Sequence, residues 1–458
     1  MKFRNFFAYL FVLAIVGSVD LTDRVSPVAE AAAPFNEQKV KRLNFDFGPG
    51  QLAAGAMQVT AQDVYSAATG YGFEAGAAVN CLGRGGNDAQ RSDFCTSDHP
   101  FFFSVALPEG NYQVTLTLGD RQDVSITTVK SESRRLMLKD VLTLPGKFVT
   151  PTFTVNIRNS QIATGGAVSL KPREQGVFHW DDKLTLEFSG KRPCIDAVEI
   201  VPVNQAITVY LAGDSTVTDQ TNEPYAAWGQ MLPRFFARGV AIANHAESGE
   251  TLRAFRNEHR LDKILSQIRS GDYLFIQFTH NDQKPGADHV DPFTTYQEQL
   301  KYYIGEARQR GATPVLVTSM NRRTFDAAGK ISNSLGDYPD AMRQTAKAEK
   351  VALIDLAAMS QAFYEALGPD RSVRAFVHYP AGTFPGQDKE LKDDTHFNAY
   401  GAYELARCVV EGIRANKLGL VKYLVGDDGR FDPSHPDPLD NWSLPASPYR
   451  VFAKPAGS

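Results

Sequence analysis

The chain has 458 residues, a length that as a prior suggests two or three domains. Its 48 Lys and Arg against 52 Asp and Glu leave a net charge of −4, which gives no electrostatic reason to expect nucleic acid or an anionic membrane as partner. With 43% apolar and 22% charged residues the composition excludes disorder, coiled coil and collagen as the main state, and four cysteines are too few for a disulfide scaffold.

At the N-terminus, Lys2 and Arg4 precede an uncharged apolar run from Phe6 to Val16, too short to span a bilayer comfortably. The pattern predicts an export signal within residues 1–33. Its cleavage point stays open between Gly17-Ser18 and the small residues around Ala29 to Ala33, and an uncleaved anchor helix is the competing reading. No later segment is long and apolar enough to cross a membrane, so the expectation is an exported protein, periplasmic or secreted, without a membrane partner after cleavage.

Residues 40–203 alternate with period two between Gly, Pro, Asn and Asp breaks. They predict strands at 43–47, 101–107, 112–118, 124–129, 135–144, 152–157, 184–188 and 195–201, an all-β sandwich domain. From residue 206 the rhythm changes. Apolar strands at 207–212, 240–243, 273–278, 314–318 and 352–356 alternate with helical patterns at 225–237, 258–269, 296–310 and 340–349. That order predicts an α/β domain over 206–430, a parallel sheet with helices on both faces. Such sheets bind ligands beyond the carboxyl ends of their strands. Residues 431–458 are rich in Pro and Asp and predict a tail, wrapped on the surface or partly disordered.

The polar residues that follow the α/β strands have the chemistry of acyl transfer. Gly213-Asp214-Ser215-Thr216 follows the first strand, where the Gly permits a tight turn and the Ser lands at the sheet's carboxyl edge; a capped helix start is the bland alternative. Asn244-His245-Ala246-Glu247-Ser248-Gly249 follows the second, and a Gly there can turn its N–H toward a substrate. Thr279-His280-Asn281-Asp282 follows the third, and the Asn281 amide suits a developing oxyanion. Late in the chain, Asp393-Asp394-Thr395-His396 has the spacing that lets one carboxylate fold back to the imidazole Nδ1 while Nε2 faces the crevice. Asp394 is the rival orienter. Each motif alone is more often surface than site; their order, Ser, Gly, Asn, Asp-x-x-His, changes the odds.

In that order, with Trp228-Gly229-Gln230-Met231-Leu232, residues 206 to about 425 resemble the SGNH (GDS-type) hydrolases and within them the rhamnogalacturonan acetylesterase family. The resemblance implies a flavodoxin-like sheet and a serine esterase that removes O-acetyl groups from plant polysaccharide, most of all rhamnogalacturonan, through an acyl-enzyme. It implies Ser215 as nucleophile, His396 as general base and Asp393 as its orienter, with an oxyanion hole of the Ser215 and Gly249 N–H groups and the Asn281 amide. Thr279 stands where the family often has Gly, and Glu250 where it often has Arg, which bears on substrate detail. Arg322-Arg323-x-Phe325 also resembles the family; the favoured reading is a solvated charge pair, with polysaccharide contact as the alternative.

The front half, through Gly110-Asn111-Tyr112 to Gly119 and Ile195-Asp196-Ala197-Val198-Glu199-Ile200, resembles galactose-binding-like sandwich modules. Tyr71 and Phe73 are read there as core rather than as sugar-stacking rings. Cys81 and Cys95 bracket a polar, Gly-rich loop, and a bridge or two free thiols both remain open. Cys194 and Cys408 are read as buried hydrophobes. No His-Glu-x-x-His or Cys-x-x-Cys occurs, so neither a metal nor a cofactor is expected. The expected partner is an acetylated polysaccharide or oligosaccharide; the oligomeric state is not legible. The alternatives are an esterase or lipase for another acyl ester, such as acetylated xylan or another glycan, and an inactive carbohydrate-binding protein.

Overall fold

In the computed structural model, which describes residues 42–426 and 429–448, the front half is built from short strands. In chain order they are β1 (Leu43–Phe47), β2 (Met57–Val59), β3 (Tyr71–Phe73), β4 (Asn80–Gly83), β5 (Asp93–Thr96), β6 (Phe101–Ala106), β7 (Gly110–Asp120), β8 (Ser125–Ser131), β9 (Arg135–Thr143), β10 (Lys147–Val149), β11 (Thr152–Ile157), β12 (Lys183–Ser189), β13 (Cys194–Ile195) and β14 (Ala197–Pro202). One sheet runs β10-β7-β14-β1-β2, with β11 also on β7. The facing sheet runs β3-β6-β12-β8-β9, and β13-β5-β4 make a small third. Period-two alternation turns one face of each large sheet inward, so Phe45, Phe47, Phe73, Phe101, Phe103 and Phe188 meet in one core. Among their rings, Phe47 and Phe103 meet edge-on with centroids 4.9 Å apart, and Phe101 is stacked on Phe188 at 5.3 Å.

The aromatic reading of this half holds: Phe73 is core and Tyr71 lies 5.1 Å from the Phe45 ring. The open question about Cys81 and Cys95 resolves as a disulfide across β4 and β5, while Cys194 and Cys408 are buried and free. The predicted strand 195–201 is broken at Asp196, between β13 and β14.

The second half supplies β15 (Ile207–Gly213), β16 (Val240–Asn244), β17 (Tyr273–Gln277), β18 (Thr313–Val317) and β19 (Ala352–Ile354), all parallel, in the order β16-β15-β17-β18-β19. This is the doubly wound order in which β15 and β17 flank the switch in direction, as expected from the βα rhythm. Its helices are α1 (Trp228–Met231), α2 (Leu252–Asn257), α3 (Arg260–Leu265), α4 (Gln297–Gln309), α5 (Tyr338–Glu349), α6 (Leu356–Ser372) and α7 (Ala399–Ala415). An antiparallel pair, β20 (Phe376–Tyr379) and β21 (Leu391–Phe397), precedes α7.

Several predicted bounds move for local reasons. The helical pattern 225–237 yields only α1 and one tighter turn over Leu232–Phe235, because Pro224 precedes it and Pro233 lacks the N–H a longer helix needs. The pattern 258–269 begins only at Arg260, since His259 sits at φ +61°. The strand 352–356 ends at Ile354, where Asp355 caps α6 by accepting from the Ala358 N–H.

The described residues all belong to one compact unit. The tail read as Pro-rich wraps the surface over its described part: Lys130 Nζ donates to the Pro445 carbonyl at 2.7 Å, Tyr400 Oη donates to the Asp437 carbonyl at 2.8 Å, and the Trp442 ring lies against Tyr400. The expected export signal lies outside the described residues, among which no helix is long and apolar enough to cross a membrane.

Candidate functional site

β15 pairs with β16 on one side and β17 on the other, and its run Ile-Thr-Val-Tyr-Leu-Ala-Gly is nearly all buried. The chain must leave the sheet where that apolar run ends, and Asp214 shapes the exit. Its Oδ1 accepts from the Thr216 N–H (2.9 Å) and hydroxyl (2.7 Å), and its carbonyl accepts from the Val217 and Thr218 N–H groups. Gln277 at the end of β17 receives the Trp228 indole N–H at 2.8 Å and donates to Thr216 Oγ1 at 2.8 Å, tying the turn to its neighbour strand. Ser215 is held at the sheet edge by these bonds.

His396 arrives from β21, a strand with an irregularity in its pairing. The pairing skips from Phe376 opposite Phe397 to Val377 opposite Asp393, so residues 394–396 bulge out of the ladder. The bulge folds Asp393 back on its own chain: Oδ1 accepts from the Thr395 N–H (2.9 Å) and His396 N–H (3.0 Å), and Oδ2 lies 2.9 Å from His396 Nδ1. His396 Nε2 lies 2.8 Å from Ser215 Oγ. Burial alone would raise the Asp393 carboxyl, but the His396 contact and the two backbone N–H groups hold it at about 2. An ionised carboxylate only accepts, so Nδ1 carries the proton and Nε2 is left to accept from the Ser215 hydroxyl. All three residues are buried, and the Tyr225 ring meets the imidazole edge-on at 5.9 Å.

The rival carboxylate, Asp394, is turned elsewhere: it pairs with Arg323 and with His378 Nε2, each at 2.8 Å, while Asp393 is the one beside His396. This also corrects the reading of Arg322-Arg323 as a solvated pair. Arg323 further donates to Ser372 Oγ and the Pro369 carbonyl, and Arg322 donates to the Ser334 and His280 carbonyls, so both brace loops at the rim.

Gly249 takes φ +85°, a conformation that favours glycine, and the N–H groups of Ser215 and Gly249 have no acceptor among the described residues. The Asn281 amide is fixed at both ends, donating to the Glu250 carbonyl at 3.0 Å and accepting from Lys284 Nζ at 3.0 Å. Asp282 is buried against the start of α2, accepting from the Leu252 N–H at 2.9 Å, and burial pushes its carboxyl up to about 7. The Thr279 hydroxyl engages the Phe278 carbonyl and Tyr296 Oη.

What the sequence reading missed comes from the sandwich. The turn from β8 into β9 is buried, with Glu132 and Arg134 at positive φ. Arg135 Nε bonds Asp219 Oδ2 at 2.6 Å, and Asn244 Nδ2 donates to the other oxygen at 2.8 Å. Arg134 donates to the carbonyls of Gln220 (3.1 Å) and Tyr225 (2.8 Å), and Gln220 Nε2 donates to the Ser215 carbonyl at 2.7 Å. On the other side, Arg173 Nε meets Glu247 at 2.7 Å and its Nη2 donates to the Ser248 carbonyl. Lys171 pairs with the buried Glu250, whose carboxyl burial pushes upward. Both loops around the serine are therefore stitched to the front half, one to the β8–β9 turn and the other to the connection between β11 and β12. Among the described residues no group of three or more side chains is placed to hold a metal.

Residues 211–402 match the model of the GDSL-like lipase/acylhydrolase family, and residues 43–168 match a β-agarase/YXIM esterase-like, galactose-binding domain-like model. The chain is 44% identical over 230 residues to the rhamnogalacturonan acetylesterase RhgT of Bacillus subtilis (strain 168), covering 50% of this chain and 98% of that protein. It is 27% identical over 383 residues to the uncharacterized esterase YxiM of the same organism, covering 82% of this chain and 91% of YxiM. The crystal structure of YxiM aligns with 83% of this chain and 99% of its own, at 26% identity and a TM-score of 0.44.

Proposed function

Since the chain belongs to the GDSL-like lipase/acylhydrolase family, we propose that it is an exported carbohydrate O-acetylesterase acting on plant polysaccharide, rhamnogalacturonan foremost. The observation that carries the reaction type is the continuous line from Asp393 through His396 to Ser215 at 2.9 and 2.8 Å, at the carboxyl end of β15. The substrate class rests on the similarity to RhgT.

His396 Nε2 takes the Ser215 proton as Oγ attacks the ester carbonyl, and the negative charge moves to the carbonyl oxygen. The N–H groups of Ser215 and Gly249 and the Asn281 amide stabilise that charge. On collapse the sugar oxygen leaves with the proton from His396, leaving acetyl on Ser215. Water, deprotonated by His396, then releases acetate and restores the serine. The Cys81–Cys95 bridge suits an oxidising compartment and supports export.

The test is acetate release from acetylated rhamnogalacturonan, set against acetylated xylan and long-chain esters, with and without a serine-directed organophosphate or EDTA. The expected result is fastest release from rhamnogalacturonan, abolished by the organophosphate and unaffected by EDTA. Faster release from xylan or from long acyl chains would move the substrate. No release from any ester would leave a binding protein, and inactivation by EDTA alone would end the serine mechanism.

Two further outcomes follow from the geometry. Asn281→Ala is expected to lower kcat by about 10²–10³, as for loss of one oxyanion donor, checked by steady-state kinetics on folded protein. The second concerns pH. Only neutral imidazole accepts the serine proton, and the ionised Asp393 carboxylate is what keeps the remaining proton on Nδ1. Asp393 is held at about 2, below its ordinary value of 3.8. Its stabilising contribution is therefore complete above that ordinary value and is lost as pH falls through about 2. Between pH 4 and neutrality the NMR shift of the Asp393 carboxyl carbon should therefore stay constant; a titration there would contradict the assignment of Asp393.

A further inference from the structure

A cavity of about 410 Å³ opens between the sandwich and the serine loop, lined by Phe102, Arg134, Arg173, Phe178, Thr221 and Asn222 among others. A narrower one of about 80 Å³ shares Arg173, Val177, Thr221 and Asn222 with it and continues to Glu247 and Ser248. The groove thus runs from the front sheets to the residue that precedes Gly249. Its other wall includes Gln220, whose side chain bonds the Ser215 carbonyl.

We propose that this groove is a saccharide subsite that holds the glycan chain beyond the acetylated sugar, with the sandwich as one of its walls. The proposal rests on the reading of the protein as a carbohydrate esterase. The lining has the two kinds of group that a pyranose chain needs. Phe178 is half-buried and held in place, its ring tilted on Phe102 at 5.4 Å with the Lys183 ammonium 5.4 Å from its centroid, so it offers apolar surface at small entropic cost. The side chains of Thr221 and Asn222 make no hydrogen bond among the described residues, which leaves their hydroxyl and amide for sugar hydroxyls. Arg173 commits Nε and Nη2 to Glu247 and Ser248, which fixes the groove against the loop that carries Gly249. The sandwich offers no rival in Tyr71 and Phe73, which are spent on its own core.

The experiment measures binding apart from turnover. Ser215→Ala protein is titrated calorimetrically with a short unacetylated rhamnogalacturonan oligosaccharide and with free rhamnose, alone and combined with Phe178→Ala or Asn222→Ala. Thermal unfolding checks that each variant is folded. The expected result is oligosaccharide binding that weakens roughly three- to ten-fold in each variant, in line with loss of one ring or hydrogen-bond contact. In the Ser215 background, acetylated oligosaccharide should show KM raised by the same factor and kcat little changed. Unchanged affinity and KM in folded Phe178→Ala and Asn222→Ala protein would overturn the subsite. If Phe178→Ala does not fold, Asn222→Ala decides. Failure of the parent reading looks different: the unsubstituted enzyme would release no acetate from any acetylated saccharide.

Discussion

Ser215→Ala and His396→Ala are each expected to lower kcat on acetylated oligosaccharide by roughly 10⁵–10⁶, and the double variant by about the same factor. Groups that act as a unit are not additive: without the imidazole the hydroxyl at 2.8 Å has no proton acceptor, and without the hydroxyl the imidazole has nothing to activate. Asp393→Asn should cost about 10⁴, because an amide in the carboxylate's place can donate to Nδ1 and so stabilise the wrong tautomer. The measurements are steady-state kinetics and, for the acyl-enzyme, the burst of alcohol release from a chromogenic acetate ester. Additive losses in the double variant would mean that Ser215 and His396 act separately, and retained activity in Ser215→Ala would remove the nucleophile.

The largest expected effect on stability is at Arg135, in the front sheets. Its guanidinium and the Asp219 carboxylate are almost wholly buried, 2.6 Å apart, and the next cation, Arg158, is 3.9 Å from the same carboxylate. Arg135→Met removes the closest partner and leaves a buried charge poorly compensated, at an expected cost of about 3–5 kcal/mol. Denaturant unfolding followed by midpoint and slope checks this. Asp219→Leu should cost at least as much, since it leaves both Arg135 and Arg158 buried without that carboxylate. A loss under about 1 kcal/mol in either variant, as for an exposed pair, would contradict the buried-pair account. Activity should fall with stability, because Asp219 and Gln220 lie on the loop that holds Ser215.

The residues whose positions were legible in the sequence share one property: what decides their position is close to them in the chain. β15 to β18 are short, continuously apolar runs, which only a sheet covered on both faces accommodates, so Ser215, Gly249 and Asn281 could be placed at strand ends before any pairing was known. Asp393 and His396 are three apart, and a turn of that size closes through its own backbone N–H groups. Residues such as 57–59 and 80–83 were illegible as strands because three or four residues carry too little periodicity to stand out. Asp394 could not be discounted firmly, since its partners Arg323 and His378 come from other elements.

By itself, then, the sequence determined the βα order with its sheet edge, the aromatic core of the sandwich and the Ser, Gly, Asn and Asp-x-x-His set, because hydrophobic period and short-range hydrogen bonding act over a few residues. Only the tertiary structure decided that Arg134, Arg135, Lys171 and Arg173 brace the serine and glycine loops, from 74 to 91 residues away in the chain. It also decided that Cys81 meets Cys95, and that a groove lies between the two halves. Those outcomes depend on how two apolar faces pack and which buried charges then have to find partners. A buried charge must be paired wherever its partner lies in the chain, and no local pattern records that choice.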